Sequence, residues 1–258
     1  MGGRLSRTLA VAANTFRETV RERALYNLVF FAILLTLAGL LLGQLSVRQD
    51  EKILKDIGLA AMDLFGTLIA VFIGTGLVSK EIERRSLYPL LAKPLSRGEF
   101  YLGKFAGLAF TLLVNLGAML LGLLLTLLLT GRRPDPVLLG AVFPILLGLL
   151  LTVAFAMLFS SLTSATLAAV LTVSVVVVGR FADVIRGMRD VAPGVPPALV
   201  NALFAIVPNF SNFDFKSKVA YGDAVPAAVL GWTMLYAAAW IVVVLGLGLA
   251  AFRARDFK

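Results

Sequence analysis

The chain has 258 residues, of which 59% are hydrophobic and only 15% are charged. A water-soluble domain of this length needs more polar surface, so the composition favours a protein that lies in a lipid bilayer. The sequence contains no cysteine and no histidine, which excludes disulfides, thiolate or imidazole metal sites, and catalysis by a Cys or His nucleophile.

The formal net charge of +9 is explained by membrane topology. Lys and Arg normally collect at the cytoplasmic ends of membrane helices, where they set the orientation of the protein. We therefore do not expect this chain to bind nucleic acid, although a basic balance alone would suggest it.

The first 23 residues predict an amphipathic helix. Apolar residues recur there every three or four positions, while most charged residues take the other side. Such a helix would lie along the inner membrane surface; an ordinary solvated basic tail is the alternative. The apolar stripe consists of Leu5, Leu9, Ala12, Phe16 and Val20.

Six apolar runs follow, and each can cross a hydrocarbon core, which takes roughly 20 residues as a helix. Each run is apolar on all faces, as a membrane helix requires. The sequence thus predicts an all-α integral membrane protein with one transmembrane domain over residues 1–258. The predicted spans are 24–44, 57–78, 105–130, 137–159, 165–181 and 227–252, of which the fifth is the shortest.

An even number of spans places both termini on the same side of the membrane. Lys and Arg are more numerous in the two terminal tails and the loop 79–104 than in the odd-numbered loops. By the positive-inside rule, the tails and this loop are expected in the cytoplasm.

Residues 182–226 are then a long outer loop. It contains a second apolar stretch at residues 198–207, which Pro196-Pro197 opens and Pro208 closes. Because this stretch is too short to cross a bilayer, it predicts a short interfacial or re-entrant helix on the outer side. A buried hydrophobic loop without a transport role is the alternative.

Two polar residues inside predicted spans are candidates for a transport pathway. Asp63 lies about six residues into span two, and ionisable groups at such depth are expensive and often functional. Alternatively, Asp63 lies near the outer interface and pairs with a basic residue such as Arg48 or Lys52. Asn115 in span three is the second candidate, although an asparagine there more often joins helices. Gly103 and Gly107 match the close-packing Gly-x-x-x-Gly pattern, a weak signal in a glycine-rich chain.

The run from Gly98 to Lys104 has the Gly-x-x-x-x-Gly-Lys spacing of a phosphate-binding loop. The next residue is Phe105 rather than Ser or Thr, no strand is predicted before it, and the run leads directly into a membrane span. We interpret the match as coincidence and expect no ATP hydrolysis by this chain.

The loop 79–104 mixes charges with an apolar strip of Leu87, Leu90 and Leu91. This pattern is typical of a short cytoplasmic helix that docks against a partner protein while its charged ends remain in water.

At this loop the sequence resembles the type-two ABC transporter permeases. Within them it is similar to the branch for multicopper-enzyme maturation, such as the permease that serves nitrous oxide reductase. Arg85-Ser86 and Pro89 depart from the usual pattern. The residues that carry the resemblance are Glu81, Glu83, Ser86, Leu90, Leu91, Lys93-Pro94, Ser96-Arg97, Glu99-Phe100 and Gly103-Lys104.

The resemblance implies that the loop holds a coupling helix, which sits in a cleft of a separate cytoplasmic ATPase subunit. That subunit would bind ATP and Mg, so the chain itself would need no cofactor. The turn 160–164 would be a minor second contact. The implied ATPase-coupling residues are Glu81, Glu83, Arg84, Arg85, Ser86, Leu87, Leu90, Leu91, Lys93, Pro94, Ser96, Arg97 and Glu99.

The resemblance further implies a second permease copy or a close relative, and a place in the inner membrane of a prokaryote. The transporter would export a substrate that the sequence does not identify, or transmit force to an extracytoplasmic accessory protein. An ATP-independent channel or scaffold is the alternative function.

Overall fold

The computed structural model describes residues 2–22, 30–31, 33–35, 50–83, 96–132, 135–188 and 206–254. Within these residues every regular element is helical. Short 3-10 helices occur at Pro136–Leu138 and Phe210–Phe213. The α-helices are α1 (Gly2–Glu22), α2 (Asp50–Glu83), α3 (Arg97–Leu129), α4 (Leu139–Leu162), α5 (Ala165–Arg180), α6 (Ala182–Met188), α7 (Lys216–Ala220) and α8 (Ala227–Ala254).

Four segments are long and apolar enough to cross a membrane, namely Glu51–Gly76, Arg97–Leu129, Pro136–Leu162 and Ala227–Ala254. They coincide with predicted spans two, three, four and six, and confirm these as helices. Predicted span one lies mostly outside the described residues. Its described part is helical, and Phe31 packs near Gly122 of α3. The count of six spans stays a prediction.

Predicted span five is observed as α5, which has 16 residues. At 1.5 Å per residue this helix is about 24 Å long, less than the roughly 30 Å of a hydrocarbon core. The chain turns at Phe181, and α6 then begins at Ala182. The fifth helix is therefore shorter than the four long segments, and its last residue, Arg180, lies beside Asp63 of α2.

The helices alternate in direction. Gly66 and Gly74 of α2 face Leu149 and Ala156 of α4, so these two helices run in parallel. Gly58 of α2 instead faces Leu123 of α3, so these two are antiparallel. Helix α8 runs with α4, since Gly140 faces Val225 just before α8, and Leu158 lies by Gly248 near its end.

One end of the bundle therefore holds the beginning of α3 and the ends of α2, α4 and α8; we call it the Arg97 end. The other end, which we call the Asp63 end, holds the beginnings of α2, α4 and α8. This alternation agrees with a topology in which spans two, four and six cross the membrane in the same direction.

The N-terminal residues form helix α1, which packs lengthwise against α3; its place on the membrane surface stays a prediction. Gly103 lies against Val11 and the Thr8 carbonyl, and Gly107 lies against Thr15 and the Ala12 carbonyl. The Phe16 ring meets the Phe110 ring edge to face, with centroids 4.8 Å apart. The Gly-x-x-x-Gly pair thus provides the close approach that its pattern suggests. Leu9 of the predicted stripe is exposed on the other side.

We expect Gly107→Ala to destabilise the protein, because the added Cβ would lie 2.6 Å from the Ala12 carbonyl oxygen. Overpacking of this kind costs about 1–3 kcal/mol. The matched control is Gly117→Ala on the same helix, where a Cβ meets nothing within 4 Å and helix propensity favours alanine. Thermal melting of the detergent-purified protein should give a lower midpoint for Gly107→Ala than for Gly117→Ala; equal midpoints would contradict the packing.

Candidate functional site

The first turn of α3, at the Arg97 end, is fixed by a capping box. The Glu99 amide donates to Ser96 Oγ at 3.2 Å, and the Ser96 amide donates to the Glu99 carboxylate at 3.0 Å. This reciprocal pair satisfies donors that a helix start otherwise leaves unpaired. The helix therefore begins at a defined point, immediately after the predicted coupling loop.

The same turn is fastened to the last turn of α8. Arg97 Nη1 donates to the Arg253 carbonyl oxygen at 2.9 Å, an arrangement that suits the negative end of a helix dipole. The Phe100 and Phe252 rings stack with centroids 6.3 Å apart. Tyr101 is buried, and its hydroxyl occupies the space beside Gly248. The start of α3 is thus held against the last turns of α8 by a hydrogen bond, a ring stack and a buried tyrosine.

The remaining coupling candidates are only partly described. Glu81 and Glu83 lie on the last turn of α2, at the same end as Ser96, Arg97 and Glu99. The structure brings these five together at one end of the bundle. The other candidates, Arg84, Arg85, Ser86, Leu87, Leu90, Leu91, Lys93 and Pro94, lie outside the described residues.

In the turn 160–164, Ser160 and Ser161 are buried, and Ser160 Oγ donates to the Thr75 carbonyl at 3.1 Å. Only the later part of this turn, with Leu162 and Ser164, offers an exposed surface for the predicted minor contact.

The Gly-x-x-x-x-Gly-Lys run lies inside α3. Gly98, Gly103 and Lys104 are all buried helical residues. From Phe100 onward the backbone N–H groups of this run bond within the helix, so they are not available to cradle a phosphate. This context supports the interpretation of the motif as coincidence.

Asp63, near the middle of α2, is the centre of an ion cluster that faces the other end of the bundle. Both oxygens of its carboxylate accept from Arg180, Oδ2 from Nη1 at 2.7 Å and Oδ1 from Nη2 at 2.6 Å. Arg180 Nη2 also donates to Thr67 Oγ1 at 3.0 Å. This two-pronged geometry is the strong form of an Arg–carboxylate pair. It joins the middle of α2 to the last residue of α5.

Lys216 completes the cluster from the outer loop. Its Nζ lies 2.7 Å from Asp63 Oδ2 and 3.0 Å from Asp214 Oδ1. Among the described residues Asp63 therefore pairs with Arg180 and Lys216, and not with Lys52. Arg48 lies outside the described residues, and Lys52 lies over the ring of Tyr221, 5.0 Å from its centroid.

The segment 206–220, which we call the inserted segment, lies between the helices and contacts Asp63. Phe213 packs on Gly148, nine residues into α4, which is about 14 Å along that helix. Phe210 and the Pro208 carbonyl lie against Gly179 of α5. The predicted re-entrant stretch 198–207 lies mostly outside the described residues, and the observed insertion is made by the residues that follow it.

The inserted segment covers a small polar cavity. The cavity offers about 70 Å³ of space to water-sized molecules, enough for more than one water. Charged and hydroxyl side chains supply much of its lining. They are Asp63, Thr67, Thr152, Arg180, Ser211, Asp214 and Lys216.

Asn115 is not part of this cavity. It is buried in α3, and its Nδ2 donates to the Thr111 carbonyl at 2.9 Å, whereas its Oδ1 has no partner among the described residues. The two pathway candidates are therefore not brought together.

The sequence analysis did not identify the residues that pair with Asp63 or the carbonyl group that pairs with Arg97. Arg180 could have been found, because a cation that ends an unusually short apolar run is placed at the depth of an intramembrane acid. Lys216 and the Arg253 carbonyl left no signal, because their positions depend on how distant segments fold back.

A family model described as "ABC-2 family transporter protein" matches residues 9–257. The match covers nearly the whole chain, including both ends of the bundle. A comparison with curated proteins finds no match.

We expect Asp63→Leu to lower the thermal midpoint of the purified protein, because it leaves two cations with one remaining acidic partner. Removing one member of a buried pair costs about 3 kcal/mol. Asp223→Leu, at an exposed position of the nearby turn, is the control and should leave the midpoint unchanged. An equal effect of both changes would show that the Asp63 cluster contributes nothing to stability.

Proposed function

The chain belongs to the ABC-2 transporter family, and we propose on that basis that it is the permease subunit of an ATP-binding-cassette transporter. A separate cytoplasmic ATPase subunit binds ATP and Mg, and the permease converts its closure into export of a substrate or into force on an outer partner. The chain itself contributes no catalysis. The observation that carries the proposal is the fastening of the α3 start, through Ser96, Arg97 and Glu99, to α8.

The geometry supports a lever at the Arg97 end. The coupling loop runs from the end of α2 to the capped start of α3, so an ATPase that moves this loop acts on both helices. Because Arg97 and the Phe100–Phe252 stack join α3 to α8, three helices respond together. ATP drives transport only if the closed ATPase binds one permease conformation more tightly than the other.

The assembly is part of the same proposal. Two copies, or this chain and a close relative, form the membrane unit in the inner membrane of a prokaryote, with the Arg97 end and both termini in the cytoplasm. The Asp63 end then faces outward and is the place for an extracytoplasmic accessory protein. The resemblance at Lys93-Pro94 and Ser96-Arg97 favours the multicopper-enzyme maturation branch.

Gentle purification of the tagged chain from its native membrane, followed by mass spectrometry, tests the partnership. We expect a stoichiometric soluble subunit with an intact phosphate-binding loop. Recovery of the chain alone from several mild detergents would instead favour an ATP-independent channel or scaffold.

Charge reversal tests the coupling surface. We expect Glu81→Lys, Glu83→Lys and Arg97→Glu together to reduce stimulation of the partner's ATPase by about tenfold, because losing about 1.4 kcal/mol of interaction changes an equilibrium by that factor. The measurement is the ATPase rate of the reconstituted complex in nanodiscs. Lys218→Glu, a reversal at an exposed residue of the Asp63 end, is the control. Unchanged stimulation in the triple variant would overturn the assignment of this surface.

A further inference from the structure

We propose that the inserted segment 206–220 is an outer gate, and that the Asp63 carboxylate is the latch that holds it shut. The inference rests on the transport function proposed above and assigns the opening of the polar cavity to one ion cluster. Asp63 provides the link, since it is bound at once by Arg180 of α5 and by Lys216 of the inserted segment.

The charges of the cluster balance both with the segment in place and with it withdrawn. Asp63 and Asp214 carry two negative charges, and Arg180 and Lys216 carry two positive ones. The side chains of Asp63 and Lys216 are only 11% and 13% exposed, so a lone charge there would be poorly solvated. Withdrawal of the segment removes Lys216 and Asp214 together and leaves the Asp63–Arg180 pair, which is neutral by itself. In the open state, therefore, no charge on α2 or α5 is left without a partner of opposite sign.

Two further hydrogen bonds hold the segment against α5 and α8. Ser211 Oγ donates to the Arg180 carbonyl at 3.0 Å, which ties the segment to the end of α5. The Asn209 backbone amide donates to the Tyr236 hydroxyl oxygen of α8 at 2.7 Å. Tyr236 lies 16 residues before Phe252, about 24 Å along the same helix. Helix α8 thus contacts the gate in its first half, at Tyr236, and the start of α3 in its last turns, at Phe252.

The cavity is closed by aromatic side chains of the segment. Phe210 and Phe213 line it and are both buried. Thr152 of α4 lies in its wall with 1% of its surface exposed. Access to Thr152 therefore reports whether the segment is seated.

Thiol labelling tests the latch, because the chain has no native cysteine. Thr152→Cys in nanodiscs is treated with a charged methanethiosulfonate reagent, and the labelling rate is followed by mass spectrometry. We expect Lys216→Met or Asp63→Asn to raise this rate about tenfold or more, because one partner of a buried pair is lost. Lys218→Met removes a charge from the same short helix α7 and is the matched control. Labelling at the same rate in all variants would overturn the latch.

A pair of engineered disulfides separates release of the segment from loss of the fold. A Cβ at Gly148 would lie 3.5 Å from Phe213 Cβ, and a Cβ at Gly140 would lie 3.6 Å from Val225 Cβ, distances that suit a disulfide. We expect Lys216→Met to slow formation of the Gly148→Cys/Phe213→Cys bridge and to leave the Gly140→Cys/Val225→Cys bridge unchanged. If Lys216→Met slows the formation of neither bridge, the proposal is overturned.

Neither measurement uses ATP. A latch without ATPase coupling therefore gives accelerated labelling together with unstimulated ATPase in the reconstituted complex. A coupled permease without a latch gives the reverse pattern.

Discussion

The burial of one carboxylate determines much of the architecture at the Asp63 end. A charged group among apolar helices is tolerated only when opposite charges and donors surround it. For Asp63 these groups are Arg180, the last residue of the short helix α5, and Lys216 of the inserted segment. The short α5 and the inserted segment are thus two parts of a single solution to one electrostatic requirement.

Helix α8 gives the two ends of the bundle a physical connection. Near its end, Gly248 makes room for the Tyr101 hydroxyl, and Phe252 stacks on Phe100. In its first half, the Tyr236 hydroxyl oxygen accepts a hydrogen bond from the Asn209 backbone amide. A rigid helix with a specific contact at each end transmits a displacement over its length without any change of its own structure. Helix α8 thereby joins the surface proposed to meet an ATPase to the cavity beside Asp63.

The sequence predicted the long helices well, because an apolar run bounded by charges leaves few alternatives in a membrane. Predicted spans five and six begin at Ala165 and Ala227, as the observed helices do. Asp63 could also be singled out, since any acid within such a run is unusual. Of its partners, only Arg180 left a signal, at the end of the short fifth span. Lys216 could not be identified, because it lies more than a hundred residues away along the chain. Likewise the Gly103–Gly107 pattern predicted a close approach but not the partner, since nothing in the pattern specifies α1.

The shortness of α5 has a consequence for the surrounding lipid. A helix of about 24 Å that ends in Arg180, whose side chain is 38% exposed, does not match a hydrocarbon layer of roughly 30 Å. A helix shorter than the hydrocarbon layer is accommodated by local thinning of the bilayer or by flanking side chains that reach the headgroups, at a modest free-energy cost per ångström. A thicker membrane raises that cost and strains the site where Arg180 holds Asp63. The acyl-chain length of the host lipids is therefore a variable that acts directly on this protein.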